Sequence, residues 1–148
     1  MIKISRKRLE QNVVHDLLCT LDPLFAKRLE ETVNIGDYSL KLAEHANFEV
    51  ADISGEWGGG VIAFYENEKE LYIPYVCVSQ SRRRMGVAGL LLDSVCSYAD
   101  SLSKPISLEV RTSNVGAIKL YEKYGFEIKS DDGTKFYMTR MAATSLGK

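Results

Sequence analysis

The chain has 148 residues, enough for one domain with a substantial core. Hydrophobic residues make up 45% and charged residues 26%, the profile of a soluble globular protein. A net charge of −1 argues against nucleic acid or an anionic membrane as a bulk partner, and no apolar run approaches the length of a membrane span.

The first residues, Met1 to Arg8, are basic and lack the apolar centre of a signal peptide. Ser5 to Asp22 reads as a helix, with Ser5 as a cap and Leu9, Val13, Leu17 and Leu18 on one stripe. Asp22-Pro23 ends it and opens a second helix, with Leu24, Phe25, Leu29 and Val33 on its apolar face. Asn34 to Asp37 interrupts the pattern. Tyr38 to Ala46 is a third short helix, with Leu40, Leu42, Ala43 and Ala46 expected inside. Cys19, Cys77 and Cys96 form no C-x-x-C pair, and no His cluster stands near them. Reduced thiols in a cytoplasmic protein are the expectation. Cys96 reads as a small core residue, and Cys77 has no base paired with it in sequence.

Strands follow. Phe48 to Ile53 alternates. Ser54 to Trp57 reads as a turn and Gly58 to Tyr65 as a strand. Its three leading glycines precede a strand rather than open a helix, so a bulge or a close backbone approach is the better reading. Leu71 to Val78 is a further strand. Pro74 within it cannot donate to a ladder, which implies an edge or a bulge. Met85 to Leu102 is a helix with Leu91, Leu92, Val95, Tyr98, Ala99 and Leu102 on its core face. Ile106 to Arg111 alternates cleanly, with Ser107, Glu109 and Arg111 on one side. Asn114 to Tyr124 is a helix closed by Gly125. Phe126 to Ile128 and Phe136 to Met138 form a hairpin around Ser130 to Gly133, and a small polar tail, 142–148, is expected to fray.

Between the Leu71–Val78 strand and the next helix stands Arg83-Arg84-Met85-Gly86-Val87-Ala88. A strand, a glycine turn and a helix start offer several unpaired N–H groups to an anion. Gly86 removes a side chain where a phosphate would approach, and Arg82 to Arg84 add positive charge. There is neither a G-x-x-x-x-G-K-[ST] phosphate loop nor a G-x-G-x-x-G fingerprint. The remaining pattern, R-x-x-G-x-A, resembles the acetyl-CoA-binding turn of the GNAT superfamily of N-acetyltransferases. A second stretch, Leu108 to Phe126, carries a strand, then N-x-x-A at Asn114 and Ala117, then Y-x-x-x-G-F from Tyr121. It resembles the C-terminal signature of that superfamily, and locally that of the ribosomal-protein alanine N-acetyltransferases. The two motifs occur in the superfamily's order, and the resemblance runs from about Phe48 to Met138.

The resemblance implies an α/β (α+β) GNAT fold: a mixed, mostly antiparallel sheet with helices on both faces and one splayed parallel strand pair. Pro74 is compatible with that splay. It further implies a single domain over 1–148, with 1–46 on the acceptor side and 47–141 as the acetyl-CoA-binding core. By the same resemblance Arg83, Arg84, Met85, Gly86, Val87 and Ala88 bind the pyrophosphate of the co-substrate acetyl-CoA. Val76 and Val78 bond its pantetheine as an added strand, with Asn114 and Ala117 beside it. Cys77 or Val78 supplies an oxyanion N–H. No metal is implied, and a homodimer is compatible.

The chemistry needs a neutral amine, an oxyanion donor and a proton for the leaving thiolate. By the same resemblance Tyr121 is the expected acid, its alternative being a core aromatic. The strand position of the histone-type base is Tyr72 here. The resemblance to the ribosomal-protein alanine N-acetyltransferases, whose corresponding Glu acts as base, makes Glu109 the expected base. A water chain, or a Glu109 that only pairs with a neighbouring strand or Arg111, is the alternative, and Glu66 and Glu70 are poorer candidates. His15 and His45 read as solvated or capping residues. Trp57, Tyr65, Tyr72 and Tyr75 could flank a small acceptor or fill the core. The expected reaction is acetyl transfer to a small-molecule primary amine, an amino sugar or other metabolite. A protein N-terminal acetyltransferase and a non-catalytic acyl-CoA sensor are the alternatives.

Overall fold

The structure, a computed structural model, describes residues 2–20, 23–53, 56–79 and 86–143. The elements are β1 (Ile2–Lys7), α1 (Gln11–Thr20), α2 (Pro23–Thr32), α3 (Ile35–His45), β2 (Asn47–Ile53), β3 (Glu56–Glu66), β4 (Leu71–Val78), α4 (Val87–Ser101), β5 (Ile106–Arg111), α5 (Val115–Lys123), β6 (Glu127–Asp131) and β7 (Lys135–Arg140). The strands follow the order β1-β2-β3-β4-β5-β7-β6 in a seven-stranded mixed sheet, the α/β fold expected. Among the described residues no helix is long and apolar enough to cross a membrane. The chain divides into two compact units, one of residues 1–64 and 75–91, the other of residues 65–74 and 92–148.

In the first unit, Ser5 caps no helix. It lies in β1, opposite Val50 of β2. The basic run Arg6-Lys7-Arg8 disguised a strand whose fifth position, Arg6, ion-pairs with Glu49. Glu49 is only 1% exposed, and a buried carboxylate is tolerated when it is paired in this way. Helix α1 then starts at Gln11 and buries Val14, Leu17 and Leu18. Helix α3 starts earlier than the alternation suggested. Asn34 is its N-cap, and its side chain accepts the Asp37 N–H at 2.9 Å, so the apparent break at Asn34 to Asp37 is the first turn. The shifted start turns Leu40 outward, 42% exposed, and buries Ser39 and Leu42. Val50, Ala51, Val61, Ile62, Phe64, Tyr75, Cys77 and Val87 complete this core.

Between β2 and β3 the register slips: Ala51 faces Gly60, but Asp52 faces Trp57. Trp57 is therefore in a strand rather than a turn, and the glycines make the bulge that their composition implied. Ser54 and Gly55 of the expected turn lie outside the described residues.

In the second unit β4 and β5 run parallel, pairing Leu71 with Ile106, Tyr72 with Ser107 and Ile73 with Leu108. The pairing ends there, one residue before Pro74. Pro74 thus marks the end of the parallel ladder and not an outer edge of the sheet, since β4 has a neighbour on each side. Strand β5 pairs antiparallel with β7 without a register break, from Ile106↔Arg140 to Arg111↔Lys135. Leu92, Val95, Cys96 and Ala99 of α4 recur at helical spacing in the core with Leu71, Ile106, Leu108, Val110, Ile118 and Met138. Leu102, expected on that face, lies past the helix end and is 37% exposed. Arg140 holds Asp100 bidentately, at 2.9 and 3.1 Å, which ties the end of α4 to β7. The hairpin turn sits later than expected, with Ser130 and Asp131 still in β6. Asp132 accepts the N–H groups of Thr134 and Lys135.

Candidate active site

The first unit presents an anion-ready turn. Gly86 has φ +77, a left-handed conformation that side chains resist, and a Cβ there would meet nothing within 4 Å. The Gly86 carbonyl accepts the Leu90 N–H at 3.1 Å, which makes it the residue before the first helical turn. Glycine has no side chain to cap the helix, and the first turn of α4 carries no acidic residue. Among the described residues no side chain caps this start, where the N–H groups of Val87, Ala88 and Gly89 stand at the positive end of the helix dipole. Arg83, Arg84 and Met85 lie outside the described residues, as does Arg82.

The strand end before this turn is packed against Gly60. A methyl on Gly60 would stand 3.1 Å from both the Cys77 carbonyl oxygen and Val87 Cγ1, and 3.2 Å from Val78 Cγ2. Only a residue without a side chain lets the end of β4 and the start of α4 approach so closely. The Ser79 N–H donates to the Gly59 carbonyl at 3.1 Å and extends the same contact. Along β4 the residues alternate, with Tyr75 and Cys77 buried and Val76 and Val78 half-buried. The Cys77 thiol donates toward the Val78 carbonyl at 4.0 Å.

The second unit presents a polar strip on one face of the sheet. Glu109 is exposed on β5, and its carboxylate accepts the Tyr72 hydroxyl at 3.5 Å. Burial and then the charge of Glu109 push the Tyr72 phenol up to about 12. Ser107, 1% exposed, donates to Glu70 at 2.8 Å and lies 3.3 Å from the Thr139 hydroxyl. Glu66, a poorer base candidate, is occupied elsewhere, by the Tyr98 hydroxyl at 2.5 Å and the Lys104 ammonium at 3.4 Å. The Tyr72–Glu109 pair was not read from sequence. Its signal was available in parity: Tyr72 is opposite Ser107, two positions before Glu109, so the two side chains share a face.

Helix α5 begins at Asn114, whose side chain accepts the Ala117 N–H at 3.2 Å. The N-x-x-A spacing is thus a helix cap as it stands. Tyr121, on the buried side of α5, is 7% exposed, and its ring lies 5.6 Å from that of Phe126. Burial pushes its phenol up to about 12, so the proton is held throughout the neutral range. No hydrogen bond joins Tyr121 to Glu109. His15 lies on α1, exposed, with Nδ1 3.9 Å from Cys19 Sγ, and His45 is in the last turn of α3.

A glycine turn opening a helix after a strand, and a carboxylate–phenol pair at the end of a short parallel ladder, accompany a family match. Residues 14–126 match the model of the acetyltransferase (GNAT) family. The chain belongs to the GNAT family. Curated relatives include the "Probable N-acetyltransferase san" of Drosophila melanogaster, 35% identical over 65 residues, which are 43% of this chain and 35% of that protein. The N-alpha-acetyltransferase 50 of Danio rerio is 37% identical over 65 residues, 43% of this chain and 39% of that protein. The matched segment thus spans little more than a third of these relatives. Among solved GNAT-like structures, Ard1 from Thermoplasma volcanium superposes with a TM-score of 0.73 at 23% identity, over 95% of this chain and 98% of that one. The ribosomal-protein-S18-alanine N-acetyltransferase of Escherichia coli gives 0.70 at 19% identity, over 97% and 95%. At these identities the likeness is one of fold.

Proposed function

We propose that this chain moves an acetyl group from acetyl-CoA to a primary amine by direct attack. Family membership gives the reaction class. The observation that carries the reading is the point where the parallel ladder stops. Pairing ends at Ile73↔Leu108, and the next residues are Pro74 and Glu109, with the Tyr72 hydroxyl on the Glu109 carboxylate. Glu109 standing one residue past the end of the parallel ladder supports its reading as the base.

Acetyl-CoA supplies the activated acyl group. The turn fits its pyrophosphate: an open left-handed glycine at the positive end of a helix whose first turn holds no competing acid. Glu109 takes the amine proton, directly or through water, and Tyr72 orients its carboxylate. Tyr121 gives its proton to the departing thiolate, and the N–H of Cys77 or Val78 receives the developing oxyanion. Val76, Asn114 and Ala117 line the pantetheine. We take the acceptor to be a small-molecule amine. A protein N-terminus is the second reading, favoured by the relative named as an N-alpha-acetyltransferase.

Thiol release from acetyl-CoA with amino sugars, other small amines, amino acids, polyamines and N-terminal peptides tests both. Turnover confined to peptides moves the acceptor to the second reading. Acetyl-CoA binding without turnover of any acceptor overturns the transferase reading and leaves an acyl-CoA sensor.

A further inference from the structure

The polar strip continues past Glu109. Side chains two apart on a strand, and residues opposite one another in a ladder, share a face. Strand β5 therefore sets Ser107, Glu109 and Arg111 in one row, and β7 sets Thr139, Tyr137 and Lys135 beside them. Arg111 and Lys135 are both exposed and stand directly opposite each other in the unbroken ladder. Like charges in that position repel. Among the described residues the Arg111 guanidinium has no hydrogen bond or ion pair. The carboxylates facing this pair are Asp132, which accepts the Lys135 backbone N–H at 2.7 Å and already holds Thr134, and Glu109, one step along the row. Two residues of strand separate Glu109 from Arg111, roughly 6.5–7 Å. The strip thus has a carboxylate end at Glu109 and a cationic end at Arg111 and Lys135, where Asp132 offsets part of the Lys135 charge.

Resting on the reading of Glu109 as the amine-side residue, we propose that Arg111 and Lys135 bind an anionic group of the acceptor, a carboxylate or a phosphate, while its amine lies at Glu109. The acceptor is then an amine with a negative group about 6–7 Å away. Arg111 offers a planar fork and Lys135 a point charge, a pairing that suits either anion. A bound anion also relieves the repulsion that the ladder imposes.

Three matched amines test this by thiol release: 5-aminopentanoate, 3-aminopropyl phosphate and the uncharged-tail pentylamine. The wild type should favour at least one anionic amine over pentylamine by about tenfold in kcat/KM. The Arg111→Gln/Lys135→Gln double variant should lose that preference, and the exchange variant Arg111→Lys/Lys135→Arg should retain most of it. Preference for one anion only supports the subsite and names its ligand. Equal kcat/KM for all three amines in the wild type, or an undiminished preference in the double variant, overturns it. Calorimetric binding of the same compounds to the CoA-loaded protein separates the two proposals. If no amine is turned over but anionic amines still bind better than pentylamine, in a manner lost in the double variant, the transferase reading fails and the anion subsite stands. If they bind no better, the subsite fails too.

Discussion

The anion turn of the first unit is made of backbone, whereas the strip of the second unit is made of side chains. At the turn, Val87, Ala88 and Gly89 contribute N–H groups that any residue would have. What the sequence must supply is permission: a left-handed glycine at position 86 and a bare one at position 60. On the strip, each group is chemically specific, and Tyr72 and Glu109 meet only because two strands distant in sequence set them side by side. The difference predicts two kinds of sensitivity, one to added bulk and one to lost function.

The largest effect is expected at Tyr121. Tyr121→Phe keeps the ring against Phe126 and removes the proton, so turnover should fall about a hundredfold or more while acetyl-CoA affinity changes by less than about twofold. Steady-state kinetics beside calorimetry separates the two, and equal rates for wild type and variant would remove Tyr121 as the acid. With the phenol pushed up to about 12, the wild type should show no alkaline loss from this group until the pH nears that value.

Glu109→Gln comes next. Its rate should drop roughly ten- to a hundredfold at neutral pH and recover as rising pH deprotonates the amine. A loss equal at all pH values would make Glu109 a structural partner of Tyr72 only.

The backbone site should answer to bulk. Gly60→Ala places a methyl 3.1 Å from the Cys77 carbonyl and Val87 Cγ1, and should cost about 1–3 kcal/mol in denaturant unfolding, with weakened CoA binding. An unchanged midpoint and unchanged affinity would mean that the strand end and helix start need no such closeness.

The smallest effect tests a tie outside both sites. Hydrogen bonds from Arg140 hold the Asp100 carboxyl below its usual range. Its stabilisation is therefore fully present above the unfolded carboxylate value, near 4, and is lost as the pH falls through the lower folded value. Asp100→Asn should cost about 1–2 kcal/mol at neutral pH and should flatten the acid side of the stability curve without changing turnover. An acid limb identical to that of the wild type would contradict the pairing.

How much was legible follows the same division. Strands β4 and β5 were read to the residue, because alternation and flanking polar loops are local signals. The glycine before α4 and the helix that follows Asn114 are short local signals and were equally plain, whereas the capping role of Asn114 was not read. Strand β1 was missed because Ile2 to Lys7 is short and basic, and it is held as a strand by β2, more than forty residues away. The same pairing accounts for the buried Glu49, whose charge its cross-strand Arg6 makes tolerable. Asn34 looked like a break because a capping residue and a loop residue are the same residue until the helix after it is seen. Leu40 followed that error outward. Parity could have joined Tyr72 to Glu109, but only once the parallel register was known.

The most direct test of the central claim is amine-dependent thiol release from acetyl-CoA by the wild type and by Tyr121→Phe, measured on the same acceptor panel. The account predicts release that requires an amine of one class and collapses in the variant while CoA still binds. Binding of acetyl-CoA by both proteins with no release for any amine, or release at the same rate from both, would contradict it.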